Sequence, residues 1–396
     1  MVSWPGFLWM AVCVYLLPAL LAGEVVRPLL RRLLARRDTG PVPPQTAVTR
    51  RVFVSRVVGG ATVAAVAGTV GYGVHSLFSG PRVLDVTVPL AKLPPGADGF
   101  RIAVVSDIHA GPLLGHGFTR HVVDTINATS PDLVAVVGDL VDGDVEDLAP
   151  AVAPLAGLRS RHGTFFVTGN HEYLSGAGQW VDHVRDLGMR LLANERVELP
   201  GFDLAGVNDV SADEGEGPDF AKALGGRDSA RATLLLAHQP ILVGEAAAHG
   251  VDLQLSGHTH GGQFWPGHLV VSGIQHTLAG LTRHAGTQLY VTRGAGAWGP
   301  PVRVGAPPDI TVVRLASRQN STKAPPVNSS YTKLTKKNPK NRKFSNRVAV
   351  MPSGGAAGVT SPADRVPPQR SRHDRRWPRR SGRSRRCRRS AAARRP

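Results

Sequence analysis

Five short segments constrain this chain more than any bulk property: Asp107-Ile108-His109, Gly138-Asp139-Leu140-Val141-Asp142, Gly169-Asn170-His171-Glu172, His238, and Gly257-His258-Thr259-His260. They set carboxylate, amide and imidazole donors next to apolar, β-like runs such as Arg101–Val105, Leu133–Val137, Thr164–Thr168, Thr233–Ala237 and Leu253–Ser256. A fold that serves all five must bring five strand ends to one place. Oxygen and imidazole donors without a thiolate suit divalent ions such as manganese, zinc or iron, so the set points to a two-metal hydrolytic site. Asp139, with two carboxylate oxygens, is the expected bridge between ions about 3.5–4 Å apart. Asp107 with His109, and His258 with His260, are expected to share a face through i, i+2 spacing. Glycines at 138, 169, 257, 261 and 262 let the backbone turn sharply there.

Charge is divided unevenly over the 396 residues. The net charge is +18, yet residues 83–317 hold 15 basic against 25 acidic residues, as befits a segment that collects cations. The excess of positive charge lies in residues 1–82 and, above all, in residues 318–396, where 23 Lys/Arg face two Asp. Cys13 and Cys387 are the only cysteines, which excludes a disulfide framework.

The sequence divides into five stretches. Residues 1–24 carry an apolar run from Trp4 to Ala22 of transmembrane length, without a basic region before it. Residues 25–56 form a basic connection in which Leu29, Leu30, Leu33 and Leu34 alternate with Arg27, Arg31, Arg32, Arg36 and Arg37, a surface suited to anionic headgroups. Residues 57–76 are milder but still long enough to span. Because Arg50-Arg51-Val52-Phe53 precedes them, they read either as a twin-arginine-like export segment or as a second membrane helix. Eight Arg between Arg27 and Arg56 place this connection inside and both chain ends outside by the positive-inside rule. Residues 83–317 alternate strand and helix patterns in the manner of an α/β fold of layered sheets with helices outside. Residues 318–396, rich in Ser, Pro, Gly and Arg and without apolar periodicity, are expected to be a disordered basic tail.

Over about Phe100 to Leu315, with each block in order, the sequence resembles the calcineurin-like metallophosphoesterase superfamily. The resemblance implies a four-layer α/β/β/α sandwich with a binuclear centre at its strand ends. It implies that one metal takes Asp107, His109, Asp139 and His260, and the other Asp139, Asn170, His238 and His258. His171 then matches the catalytic histidine, oriented by Asp142. Two divalent ions are implied, among manganese, iron, zinc and cobalt, with manganese favoured.

Gly257-His258-Thr259-His260-Gly261-Gly262-Gln263 and Leu289-Tyr290-Val291-Thr292-Arg293-Gly294 look like an exported, membrane-anchored bacterial branch. That branch includes wall-associated phosphoesterases and enzymes acting on lipid-linked nucleotide sugars. The implied activity is hydrolysis of phosphodiester or pyrophosphate bonds, with lipid-linked and cell-wall substrates among the candidates, by an enzyme in the cell membrane whose catalytic domain faces outward. Arg293 is expected either to contact substrate phosphate or to bond nearby carbonyls, and Phe264 and Trp265 to be core aromatics.

A competing reading makes the basic tail the functional part, gripping anionic polymer or nucleic acid through its Arg runs. The tail offers one aromatic in its final Arg-rich part, Trp377, and the topology puts it outside. Membrane lipids and anionic wall polymers are therefore the expected partners, and nucleic acid is not. The complete ligand set speaks against a pseudoenzyme.

Overall fold

A computed structural model describes residues 3–36, 44–275 and 277–318. The Arg-rich tail expected from residue 319 onward lies outside the described residues. Two long helices open the chain, α1 (Ser3–Ala35) and α2 (Pro44–Phe78), and both are long and apolar enough to cross a membrane. The basic stretch after Val25 is not a separate element. It continues α1 through Pro28, with Arg and Leu, both good helix formers, on either side.

Five strands follow, β1 (Arg82–Leu90), β2 (Arg101–Val105), β3 (Leu133–Val137), β4 (Thr164–Val167) and β5 (Arg190–Leu191). Helices α3 (His116–Ala128), α4 (Val145–Val152), α5 (Asn170–Leu174) and α6 (Ala177–Asp186) lie between them. The second half contributes β6 (Glu195–Leu199), β7 (Phe202–Gly206), β8 (Ala232–Leu236), β9 (Leu253–Ser256), β10 (Gly280–His284), β11 (Thr287–Val291) and β12 (Asp309–Ser317). Its helices are α7 (Phe220–Leu224), α8 (Val243–Ala248) and α9 (Gly267–Ile274).

The strands form two six-stranded sheets, ordered β1-β12-β2-β3-β4-β5 and β10-β11-β9-β8-β7-β6. Strands β2 to β5 run parallel in the first sheet, and β7, β8, β9 and β11 run parallel in the second. The central strands read as unbroken apolar runs because both of their faces are covered. On β2, Ile102 and Val104 turn inward to meet Phe202, Leu234 and Leu255 of the other sheet, while Ala103 and Val105 turn outward under Val122 and Ile126 of α3. On the far side, Ala205 and Leu235 pack under α7 and α8 through Phe220, Leu224 and Ala246. The result is the α/β/β/α sandwich expected. Parallel strands put their C-terminal ends on one edge, and there the ligand-bearing turns emerge.

The two long helices are not free of this domain. Ala11 and Tyr15 of α1 and Val66 and Val70 of α2 share a buried cluster with Val302, against which Phe264 and Val304 pack. Arg303 donates its backbone N–H to the Gly73 carbonyl at 3.0 Å. A Cβ at position 73 would stand 2.8 Å from both Val302 and Val304. Gly73→Leu should therefore overpack the joint and destabilise detergent-solubilised full-length protein by about 1–3 kcal/mol. Gly71→Ala, where a Cβ meets nothing within 4 Å, should leave the melting midpoint unchanged or slightly raised. Equal midpoints for the two variants would show that this joint carries no packing energy.

Candidate metal centre

The turn after β2 carries Asp107 and His109, the turn after β3 carries Asp139 and Asp142, and the first two residues of α5, just after β4, are Asn170 and His171. From the second sheet come His238 after β8 and His258 with His260 after β9. Strand alternation does not aim these side chains. Asp107, His109, Asp139, His258 and His260 all lie beyond the strand ends, and each has a positive φ, between 48° and 70°. Left-handed backbone is costly for residues with a Cβ, by about 1–3 kcal/mol each. Five such residues at one sheet edge mark where the fold holds strain in order to converge its donors.

Two donor clusters result. Asp107, His109 and His260 form one, and Asp139, His238 and His258 the other, with the ligand atoms of each within 4.8 Å of one another. Asp139 stands between them, its Oδ2 3.1 Å from His238 Nε2 and 3.8 Å from His109 Nε2. Asn170 joins the second cluster, its Oδ1 3.0 Å from His258 Nδ1. A third cluster overlaps the first. Asp142 Oδ1 lies 2.8 Å from His109 Nδ1 and 2.7 Å from His171 Nδ1.

The donor chemistry fits divalent cations. His238 Nδ1 faces the Val137 carbonyl oxygen at 2.7 Å and must carry the proton there. Its Nε2 is buried and faces Asp139 Oδ2 at 3.1 Å. In the same way Asp142 fixes the proton of His109 on Nδ1, leaving its Nε2 3.0 Å from His260 Nε2. Arg303 Nη2 donates to His260 Nδ1 at 3.1 Å, so a neutral His260 carries its proton on Nε2, between His109 and Asp107, and a cation bound there would take that proton's place.

The ionisation of the cluster points the same way. Burial pushes the Asp107 carboxyl up, but His260, His238 and His109 outweigh it and hold it well below the usual carboxylate range. Burial likewise opposes ionisation of Asp139, yet His238 brings it down to about 2. Burial would lower His238, but Asp139 draws it up to about 10, a demand for a proton or a cation at that point. Burial pushes His260 down to about 4 against the pull of Asp107, keeping its imidazole neutral as a ligand must be.

Two supporting residues have no role in the sequence reading. Glu172 is fully buried and accepts three backbone amides: Gly169 at 2.6 Å, Asp139 at 3.0 Å and Leu140 at 2.6 Å. Burial and the nearby Asp139 push its carboxyl up to about 7. It ties the β3 and β4 turns together. Arg303 is also fully buried, donating to the carbonyls of His260 at 2.8 Å, of Arg293 at 2.9 Å and of Gly296. Its place in the Gly169-Asn170-His171-Glu172 motif could have flagged Glu172, whereas Arg303 sits in a Pro/Gly/Val loop with no local signal.

Glycines complete the approach of the turns. A Cβ at Gly169 would fall 2.3 Å from Asp139 Oδ1, and one at Gly257 2.4 Å from Asp107 Oδ2. Arg293 pairs with the Asp309 carboxylate at 3.0 Å, a partner that neither of its two expected roles named. Phe264 packs against the long helices, but Trp265 is 60% exposed, so it is not the core aromatic expected.

Residues 100–262 match the family model of the calcineurin-like phosphoesterases. A metallophosphoesterase of Helicobacter pylori (strain J99 / ATCC 700824) is 40% identical over 258 residues, 63% of this chain and 69% of that one. A metallophosphoesterase of Aquifex aeolicus is 36% identical over 245 residues, 60% of this chain and 93% of that one. A transmembrane protein with metallophosphoesterase domain from Bos taurus is 39% identical over 253 residues, 59% of this chain and 57% of that one.

Glu172→Ala would orphan three buried amide N–H groups, each worth about 1–3 kcal/mol, and should cost at least about 3 kcal/mol in all. Thermal melts with chelator present, so that metal loss does not contribute, should show Glu172→Gln between the alanine variant and wild type. A Glu172→Ala melt within experimental error of wild type would show that the carboxylate does not hold these turns.

Proposed function

This chain belongs to the calcineurin-like phosphoesterase family and is a hydrolase of phosphoester bonds, and on that premise we propose that it works as a membrane-anchored enzyme on phosphodiesters or pyrophosphates. One observation carries the reading: two donor clusters meet at Asp139, and His171 stands beside them on Asp142. We read residues 83–317 as the catalytic domain. The helices α1 and α2 serve as anchors, and the Arg-rich connection between them lies in the cytoplasm. The domain then faces outward, where a basic tail would meet anionic wall polymers or headgroups.

Asp107, His109, Asp139 and His260 would hold one divalent ion, and Asp139, Asn170, His238 and His258 the other. Bound there, such ions supply Lewis-acid polarisation of the phosphoryl group and an acidified water. The oxygen and imidazole donors suit manganese, iron, zinc or cobalt, and manganese is the favoured occupant. The remaining work falls to the chain. Asp142 accepts from His171 Nδ1–H, which fixes the ring and leaves Nε2 to carry the proton for the leaving oxygen. Burial works against it, but the Asp142 hydrogen bond and the charge of Asp139 raise the His171 pKa, so the imidazolium persists above its ordinary pH. Because Asp142 also grips His109, the proton donor and a ligand of the first cluster are held by one carboxylate.

Asp139→Asn should abolish binding of both ions, read by metal analysis after dialysis. His171→Ala should keep them but lose about 10²–10⁴-fold in turnover of alkyl phosphodiesters, with a smaller loss on nitrophenyl esters whose leaving group needs no proton. Undiminished turnover of the alkyl ester would remove His171 from this role. Turnover of the alkyl ester should also decline as pH rises through the raised His171 pKa. Asp142→Asn removes the cause of that rise, so the decline should move to lower pH, and an unmoved limb would argue against the pairing.

A further inference from the structure

Helix α9 directly follows the ligand-bearing turn at His258 to Gln263, with His268 so close that a Cβ at Gly262 would fall 2.5 Å from its Cα. It buries none of its residues. Leu269, Val270 and Ile274 are 63%, 69% and 74% exposed, and Trp265 stands open just before them. Exposed leucine, valine and isoleucine on one short helix, beside an exposed tryptophan, form a patch that water does not favour.

The long helices say what covers it. From Trp4 to Ala22, α1 offers an apolar stretch of about 28 Å at 1.5 Å per residue, close to the roughly 30 Å of bilayer hydrocarbon. Tyr15 lies eleven residues inside that stretch, about 16 Å from its Trp4 end. Its ring is 6.5 Å from that of Phe264. Val302 and Val304 meet Val66 and Val70 in the middle of α2 through the same cluster. If α1 and α2 cross a membrane, Phe264 lies at hydrocarbon depth, and α9 begins three residues later.

The approach to the metal centre borders the same long helices. A cavity of about 180 Å³ is lined by Phe7 of α1 and by Leu113, Leu114 and Pro301, and it ends on His109 and Asp142. Beside it, Trp298 is 57% exposed and its ring lies 6.2 Å from that of His171. The next residue, Gly299, approaches Met10 so closely that a Cβ would stand 3.2 Å from the Met10 methyl. One wall of the approach to the catalytic groups is therefore a membrane helix.

We propose that α9, with Trp265, is seated in the bilayer crossed by α1 and α2, so that the metal centre opens at the membrane surface and takes a phosphoester carried on a hydrocarbon chain. The substrate half of this proposal rests on the phosphoesterase reading above. The chain of the substrate would lie along the apolar wall between Phe7 and Pro301, with its phosphoryl group at His109 and His171. An interfacial helix of this kind gains affinity from buried apolar area and loses it when charge is introduced.

The test uses the full chain, with Cys13→Ser and Cys387→Ser, reconstituted in vesicles of phosphatidylcholine and phosphatidylglycerol. An environment-sensitive fluorophore is attached through Val270→Cys, through Leu17→Cys on α1, or through Glu198→Cys on the opposite edge strand, and quenched by lipids spin-labelled on the acyl chain. The label at 270 should be quenched like that at 17 and unlike that at 198. Quenching at 270 no greater than at 198 would overturn the immersion of α9.

In a second arm, Leu269→Glu/Val270→Glu is compared with wild type on bis(4-nitrophenyl) phosphate in solution and on hexadecyl 4-nitrophenyl phosphate in the vesicles. The expected result is at least about a tenfold loss of kcat/KM, or 1.4 kcal/mol, on the vesicle-borne ester alone. Equal effects on both esters, or none, would overturn the substrate class. If wild type hydrolyses neither ester with any metal while the label at 270 is quenched, the phosphoesterase reading fails and the immersion stands.

Discussion

Everything at the functional edge of this protein depends on one electrostatic constraint: carboxylates and imidazole nitrogens are crowded so closely that a proton or a cation must lie between them. Asp139 and His238 meet at 3.1 Å, and His109 and His260 at 3.0 Å, all four essentially buried. A crowd of that kind would drift apart if its backbone were free. It is held because both sheets end their parallel strands at the same place, and because five of the ligand residues are locked in left-handed turns. The unfavourable local terms are offset by the inter-sheet core, where Ile102, Val104, Phe202, Leu234 and Leu255 are excluded from water altogether. The stability of the sandwich thus serves to hold the strained edge in place.

Two buried groups of opposite charge transmit that rigidity. Glu172 gathers the amides of Gly169, Asp139 and Leu140, so the turns of β3 and β4 cannot separate without exposing three orphan donors. Arg303 does the complementary job with carbonyls, joining the His260 turn to the loop at Gly296. A carboxylate for N–H groups and a guanidinium for C=O groups is how a buried, irregular backbone is satisfied where no ladder runs.

How much of this was legible follows from which residues have informative neighbours. The central strands β2, β3, β8 and β9 were readable because burial on both faces demands unbroken apolar runs. The edge strands β1, β6 and β10 were not, since one face meets water and sequences such as Glu195-Arg196-Val197-Glu198-Leu199 carry no apolar signal. The ligand residues stood out because each sits in a short motif beside such a run. The reason they converge was misjudged for Asp107 and His109: spacing along a strand is irrelevant to residues that have already left it with φ near +50°. Arg303 and Trp298 were invisible, because their importance comes from loops folded back over long sequence distances. Helix α9 is short and ambiguous, and the exposure of its apolar side chains belongs to the structure alone.

The same Arg303 ties the second long helix to the donor cluster. Its backbone N–H bonds the Gly73 carbonyl of α2, while its side chain bonds the His260 carbonyl across the domain. The second long helix and a ligand-bearing turn therefore share a single buried residue, with Val302 on one side packed among Ala11, Tyr15, Val66 and Val70. A tether whose only task was to retain the domain would need no such joint, and a flexible linker would do as well. A joint this close fixes the height and tilt of the site relative to the helices. Fixed height has value when the reacting bond itself lies at a fixed height, as a phosphoester held at a membrane surface does, because less orientational freedom is then lost on binding. The crowded donors set what the site can hold, and the joint at Arg303 sets where it can reach.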